Sequence, residues 1–451
     1  MTLAKAHSIH FIGISGIGIS AIAKWALENQ KKVSGSDLTE QKVSARLVEN
    51  GAKVFFGEHR KENLPKTCDL VVYNNAIGLE NPELVEAKAK HLKCISYPQA
   101  IGELMEKKSG IAIAGTHGKS TTTGMLAYML LAAQHDPSVI VGTRLPIFDD
   151  SNERFGQGED FLVEADEYKK AFLAYRPKNA AVLNVELDHL DVYKDEFAVL
   201  EAFKEFASQI PSDGNLILNA EDKYFQNLKK SSKANIFSFG LNQADIFSLN
   251  IVSNSLGTTF QVKGLYQGEV KTQIYGQHNV MNALAALALA KALGLDFESA
   301  KQGLKEFPGA WRRFERKGEW QGAIVIDDYA HHPTELKATL ETARNIFPGQ
   351  RLICIFQPHQ KIRVKTFFNE FVQVLKLADI TVLPEIYQVA GRESDLQISS
   401  LDLVESIAKD SYFVEDVQTS VALAQKLVKK GDIILTVGAG DITKFYELAK
   451  K

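Results

Sequence analysis

The stretch Ile111-Ala112-Ile113-Ala114-Gly115-Thr116-His117-Gly118-Lys119-Ser120-Thr121 decides how this chain is read. Four apolar residues in a row read as a strand buried on both faces, the kind a parallel sheet carries. Gly115 and Gly118 then permit a tight turn whose backbone N–H groups close around phosphate oxygens. The helix that follows adds the partial positive charge of its N-terminus. Lys119 stands where it reaches β- and γ-phosphates, and Ser120 where its hydroxyl meets Mg²⁺. The loop is shorter than the usual G-x-x-x-x-G-K-[ST], because Ile113 stands five residues before Gly118. Strand, turn and helix signals agree, so the expected ligand is ATP or a similar triphosphate with Mg²⁺.

Upstream, Ile9-His10-Phe11-Ile12 reads as another buried strand, Gly13 to Gly18 as a turn, and Ile19 to Asn29 as a helix. Val33 to Asp37, Leu70 to Tyr73 and Cys94 to Ser96 continue the alternation, which argues for a doubly wound parallel sheet. Downstream, Phe161 to Glu164 and Ala180 to Leu183 read as strands of the central block. The patch from Asp245 to Ile274, with short alternating segments between turns, reads as a small antiparallel insert, and Asn279 to Ala292 as an alanine- and leucine-rich helix. Ala323 to Asp328, Arg351 to Phe356 and Asp432 to Val437 make a further α/β block. The expectation is an α/β protein of three domains, 1–107, 108–307 and 308–451, the outer two Rossmann-like.

The chain has 451 residues, 45% hydrophobic and 24% charged, with a formal net charge of −3. That length exceeds one ordinary core. The charge gives no electrostatic reason to expect nucleic acid or an anionic membrane as partner. Cys68, Cys94 and Cys354 are scattered, which favours reduced thiols in a cytosol. The apolar run from Ile9 to Leu27 is broken by Gly13, Gly16 and Gly18 and lacks an Ala-x-Ala site, so it does not read as a signal peptide. A cytoplasmic location is expected.

Gly13-Ile14-Ser15-Gly16-Ile17-Gly18 can also seat a phosphate on backbone amides, with Asp37 at the end of the next strand placed for a ribose or sugar hydroxyl. The register is G-x-x-G-x-G, which favours a nucleotide diphosphate other than NAD; a purely structural turn is the alternative. Two phosphate sites imply a reaction joining ATP with a nucleotide-linked substrate. Metal ligands are then expected at strand ends, where Glu164-Ala165-Asp166-Glu167 and Asn184-Val185-Glu186-Leu187-Asp188-His189-Leu190-Asp191 stand. Ser120 and Glu164 suit Mg²⁺, and His189, a less usual partner, could complete a shell on a second ion.

These motifs, with Gly276-Gln277-His278-Asn279-Val280-Met281-Asn282, Trp311-Arg312-Arg313-Phe314 and Asp327-Asp328-Tyr329-Ala330-His331-His332-Pro333, occur in an order that resembles the Mur ligases over nearly the whole chain. The resemblance implies an N-terminal UDP-sugar domain, a central ATPase domain and a C-terminal Rossmann-like domain. It implies that Ser15, Gly16, Ile17, Gly18, Asp37 and Asn75 meet the UDP-sugar. Gly115, Thr116, His117, Gly118, Lys119, Ser120 and Thr121 would meet ATP, with His278, Asn282, Arg313 and Asp328. Lys119, Glu164, His189, Arg313 and His332 would carry the chemistry, an acyl-phosphate mechanism. His332 and Arg363 would meet the incoming amino acid or intermediate. Phe356-Gln357-Pro358-His359 favours the branch that adds L-alanine to UDP-N-acetylmuramate over the branch that recycles a tripeptide. A monomer or homodimer is expected. Lys204, at a distance from His189 where other branches carry a modified lysine, reads as a solvated helix residue.

Overall fold

The computed structural model describes residues 1–388, 396–408 and 410–451. The chain is an α/β protein whose strands fall into N-terminal, middle and C-terminal sheets, and it forms two compact units. The first unit holds residues 1–185, 197–239 and 285–303, and the second holds 186–196, 240–284 and 304–451.

In the first unit, β1 (Ser8–Ile12), β2 (Lys32–Asp37), β3 (Lys53–Phe56), β4 (Leu70–Tyr73) and β5 (Lys93–Ser96) form a parallel sheet in the order β3-β2-β1-β4-β5. Every residue of β1 is buried, as expected of a central parallel strand. Its helix starts at Ile17, two residues before the sequence pattern begins, because Gly16 already serves as an extended N-cap.

The middle sheet of this unit is built from β6 (Ser109–Ala114), β7 (Ser138–Leu145), β8 (Ser151–Arg154), β9 (Asp160–Ala165), β10 (Asn179–Val182), β11 (Asn215–Asn219) and β12 (Asn235–Gly240). They run in the order β12-β11-β10-β6-β9-β7-β8, parallel except for β8 on β7. β6 is therefore flanked by β9 and β10, so the ends of both neighbours lie beside the loop that leaves β6. Behind them Phe172 stacks on Phe206 (4.9 Å) and meets Phe203 edge-on (5.2 Å).

In the second unit, β13 (Ile246–Asn254), β14 (Gly257–Gly264) and β15 (Gly268–Thr272) make the antiparallel insert that the alternating sequence implies. The C-terminal sheet holds β16 (Glu315–Trp320), β17 (Ala323–Asp328), β18 (Leu352–Phe356), β19 (Ile380–Pro384), β20 (Ser411–Val414) and β21 (Ile433–Val437), in the order β16-β17-β21-β18-β19-β20. Only the edge strand β16 runs antiparallel. Helix Pro333–Ile346 opens with proline in its first turn and a capping box of His332 and Glu335. All three cysteines are free. Among the described residues, no helix is long and apolar enough to cross a membrane.

Candidate active site

The turn after β6 is held from both sides. Gly115 has φ +140°, and a Cβ there would stand 3.0 Å from the Leu183 Cβ and 3.1 Å from the Leu183 backbone nitrogen. Asn184, just past β10, clamps the turn. Its Oδ1 accepts the His117 N–H (2.8 Å), its Nδ2 donates to the His117 carbonyl (3.0 Å), and its own carbonyl accepts the Thr116 N–H (3.2 Å). The helix Lys119–Ala132 then starts from Gly118, left-handed at φ 84°. Thr116 and Thr121 are buried in this turn. The sequence places Asn184 at a strand end but does not show its grip on this turn, because only the order of the sheet brings the end of β10 beside β6.

Lys119 donates from Nζ to Glu167 Oε2 (2.8 Å) and to the carbonyls of Gly115 (2.6 Å) and Thr116 (3.2 Å). Burial works against its charge, but Glu167, Asp166 and Glu164 outweigh burial and hold the ammonium above its ordinary range. It is a fixed cation at any pH near neutrality. Ser120 Oγ donates to Glu164 Oε1 (3.0 Å), while Glu164 Oε2 accepts the Gly142 N–H (2.6 Å). Glu164 reaches the turn because β9 pairs it with Ile113 of β6. A hydroxyl beside a carboxylate at the mouth of a glycine turn is a hard oxygen donor set, which fits Mg²⁺.

Past Glu164 the chain is strained. Lys169 (φ 50°, ψ 27°) and Lys170 (φ 57°, ψ 29°) are both left-handed, at a cost of about 1–2 kcal/mol for each residue. Tyr168 N–H on Asp166 Oδ1 (3.0 Å), Lys170 N–H on the Glu167 carbonyl (2.9 Å), Phe172 N–H on the Asp166 carbonyl (3.0 Å) and the buried Phe172 ring hold them there.

The glycine turn after β1 is fastened differently. The Ser36 carbonyl accepts the N–H groups of Gly13 (2.9 Å) and Ile14 (3.1 Å), and Asp37 Oδ2 accepts the Ser15 N–H (2.8 Å). Asp37 Oδ1 accepts the Leu38 N–H (2.8 Å), so the carboxylate assigned to a sugar hydroxyl also fastens the turn. Gly16 is the N-cap, and Ile17 is half exposed with its carbonyl on Asn152 Nδ2 (3.0 Å). Gly18 makes a close approach: a Cβ would stand 2.6 Å from the Tyr97 ring carbon Cζ. The Asn75 carbonyl accepts Lys169 Nζ (3.1 Å).

Beneath this turn lies a buried network absent from the sequence reading. Glu83, 0% exposed, accepts from Ser36 Oγ (2.8 Å) and Asn63 Nδ2 (3.0 Å) and bonds His10 Nε2 (2.7 Å) and His59 Nδ1 (2.9 Å). Burial alone would raise its pKa; the bonds from His10, Asn63 and His59 reverse that and bring it down to about 2.

In the second unit, His189 has φ 52°, its N–H on Asp188 Oδ1 (2.7 Å) and its carbonyl accepting from Val192 (2.7 Å) and Tyr193 (2.9 Å). Asp188 also holds Arg363, whose Nη2 (2.5 Å) and Nε (3.2 Å) both reach Oδ1. Against the effect of burial, Arg363, His189 and His331 keep that carboxyl well below the usual range. Arg363, which the sequence reading turns toward the amino acid, has its guanidinium occupied by Asp188 and His359.

His332 accepts the Thr334 N–H (3.3 Å) as a helix cap and packs edge-on against Phe367 (4.6 Å). Asp328 accepts from Ala330 (2.8 Å) and Phe314 (2.8 Å); burial, opposed by Arg313 and these N–H groups, pushes its pKa up to about 6. Arg313 lies 3.8 Å from Glu335 Oε1 and over the Tyr329 ring (5.2 Å). His278 sits in the opening turn of helix Gln277–Ala292, and Asn282 Nδ2 donates to Asn279 Oδ1 (3.0 Å). A pocket lined by Ile251, Ser253, Gly276, Gln277, Thr342 and Asn345 adjoins that turn. In the first unit, Lys204 pairs with Glu201 on its own helix (2.7 Å), as a surface lysine does.

Three family models match the chain: "Mur ligase family, catalytic domain" over 8–109, "Mur ligase middle domain" over 113–290 and "Mur ligase, glutamate ligase domain" over 312–440. The chain is 41% identical to the UDP-N-acetylmuramate–L-alanine ligase of Clostridium perfringens, over 98% of this chain and 97% of that one. Its fold is similar to the crystal structure of the Thermotoga maritima UDP-N-acetylmuramate-alanine ligase (TM-score 0.81, 29% identity, covering 98% and 99%). It is also similar to that of a murein peptide ligase from Psychrobacter arcticus (TM-score 0.71, 27% identity, 98% of each chain). The clamped glycine turn, its fixed lysine and its strand-end carboxylates thus sit in a chain matched along its length, and this chain belongs to the Mur ligase family.

Proposed function

We propose that this protein joins L-alanine to the lactoyl carboxylate of UDP-N-acetylmuramate, using ATP, in the synthesis of peptidoglycan precursors in the cytoplasm. The observation that carries the reading is the Lys119–Glu167 pair over the turn that Asn184 clamps, with Ser120 and Glu164 side by side at its mouth. The likeness to L-alanine ligases over 98% of the chain supplies the substrates.

A carboxylate resists attack by an amine because it lacks a leaving group. Transfer of the γ-phosphoryl group to a lactoyl oxygen supplies one. The L-alanine amine then adds to the carbonyl carbon, and the tetrahedral intermediate expels phosphate to leave the amide. Lys119 neutralises charge on the phosphoryl group in flight, and the N–H groups at the start of the helix Lys119–Ala132 hold the phosphates in line. Ser120 and Glu164 would hold Mg²⁺, which would offset charge on the phosphate oxygens; His189 is assigned by family resemblance to a second ion. Ser15 to Gly18, Asp37 and Asn75 take the UDP-sugar. His278, Asn282, Arg313 and Asp328 are assigned to the nucleotide, and His332 to the acceptor side. The proposed functional division is 1–107 for the sugar, 108–307 for ATP and 308–451 for the amino acid.

A second reading, addition of a whole tripeptide to the same sugar, draws on the likeness to the Psychrobacter arcticus murein peptide ligase. Phosphate release measured with L-alanine, glycine, L-serine and the tripeptide separates the two. The first reading expects L-alanine to drive turnover most strongly; turnover with tripeptide and none with L-alanine selects the second.

A further inference from the structure

Lys169 is exposed, yet its backbone is left-handed, its neighbour Lys170 is too, and the four contacts around Asp166, Glu167 and Phe172 hold both in place. Strain maintained in this way concentrates at sites where a side chain must be aimed. Here it aims an ammonium across 94 residues of sequence, from the segment that carries Glu164 and Glu167 to the carbonyl of Asn75 just beyond β4 (3.1 Å). The Tyr168 ring lies 5.7 Å from the same nitrogen. A neutral carbonyl is a modest partner for a full positive charge, and an anionic oxygen makes a bond roughly twice as strong. The place is also particular. Asn75 stands on the sugar side and Glu167 holds the lysine of the phosphate turn, so Lys169 joins the two halves of the proposed reaction within one unit.

We propose that Lys169 binds an anionic oxygen of the UDP-sugar, exchanging the Asn75 carbonyl for the lactoyl carboxylate or the diphosphate when substrate enters. This assignment rests on the sugar-ligase reading above. Lys169 is a binding and positioning residue; Lys119 remains the cation that acts on the phosphoryl group.

Two variants separate charge from backbone. Lys169→Asn keeps a residue that tolerates the left-handed conformation and removes the charge; Lys169→Arg keeps the charge. For Lys169→Asn, KM for UDP-N-acetylmuramate should rise about tenfold or more, the loss of one charge-assisted bond, with KM for ATP and the melting temperature unchanged. Lys169→Arg should recover most of that loss. Inhibition by free UDP identifies the oxygen: weakened in Lys169→Asn, the contact is to the diphosphate; unchanged while KM rises, it is to the carboxylate. An unchanged KM for the sugar in Lys169→Asn, or an arginine variant as poor as the asparagine one, overturns the proposal. Wild-type enzyme with L-alanine is the control: if it releases no phosphate, the functional reading has failed and not this contact alone.

Discussion

At the ends of β1 and β6 the chain makes the same local move, a buried strand, a glycine turn and a helix, but the two turns are held by different partners. The β6 turn is gripped by a neutral amide, Asn184, and surrounds a partly buried cation whose counterions are the carboxylates of β9 and the segment after it. Among the described residues, the contacts that hold the β1 turn include no such cation. It hangs on the Ser36 carbonyl and the Asp37 carboxylate, with the Glu83 network fixing Ser36 from below. In the proposed reaction one turn handles charge in motion, the other a ligand that stays as it is. Local sequence dictates a glycine turn in both places; the flanking strands decide what holds it.

Variants can break this contrast. The largest effect belongs to Lys119→Ala. Phosphate release should fall by roughly 10³-fold or more, the scale of losing a preorganised cation on a phosphoryl group. UDP-sugar binding measured by calorimetry should stay near the wild-type value. Equal loss of both would mean that the two turns are not separate sites. Next comes Glu164→Gln, which keeps the shape but removes the charge beside Ser120. Turnover should fall by about 10²-fold, and the Mg²⁺ concentration for half-maximal rate should rise; an unshifted Mg²⁺ requirement would take Glu164 out of the metal set.

Glu83→Gln probes the other turn through stability. The Glu83 carboxyl lies below its ordinary 4.5, at about 2, so its contribution is present above pH 4.5 and lost as pH falls from 4.5 toward 2. That shift corresponds to about 3 kcal/mol. Wild type should therefore exceed the variant in urea midpoint at pH 6, with the gap closing toward pH 2. A gap that is constant with pH would contradict the pairing of Glu83 with His10 and His59. The smallest effect is expected from Asp37→Asn. One of its oxygens still accepts a backbone N–H, so KM for the UDP-sugar should rise only several-fold, on the scale of one net hydrogen bond, with kcat unchanged.

Several of the buried parallel strands were legible in the sequence, although β11 and β19, buried as deeply, are not among those it names. Leu70–Tyr73 has the bounds its apolar run predicts, and β1 and β6 differ from theirs by a residue or two. A strand buried on both faces has no polar positions to disguise it. β16 (Glu315–Trp320) and β8 (Ser151–Arg154) escaped notice because edge strands are polar and their pairing is set by a partner, not by pattern. The site divides in the same way. Lys119, Ser120 and Glu164 announce themselves within short motifs. Asn184 and Glu83 do not, because each acts on a turn that only sheet order brings near, 67 residues away for Asn184 and His117. The Arg363–Asp188 pair, 175 residues apart, was hidden for the same reason.

Transfer of a label tests the central claim, that the β6 turn moves a phosphoryl group onto the sugar's carboxylate. UDP-N-acetylmuramate carrying heavy oxygen in its lactoyl carboxylate is turned over with ATP and L-alanine, and the released phosphate is weighed by mass spectrometry. One heavy oxygen should appear in each phosphate, carried there when the acyl phosphate collapses. Phosphate released without label, while the amide forms, would contradict the account.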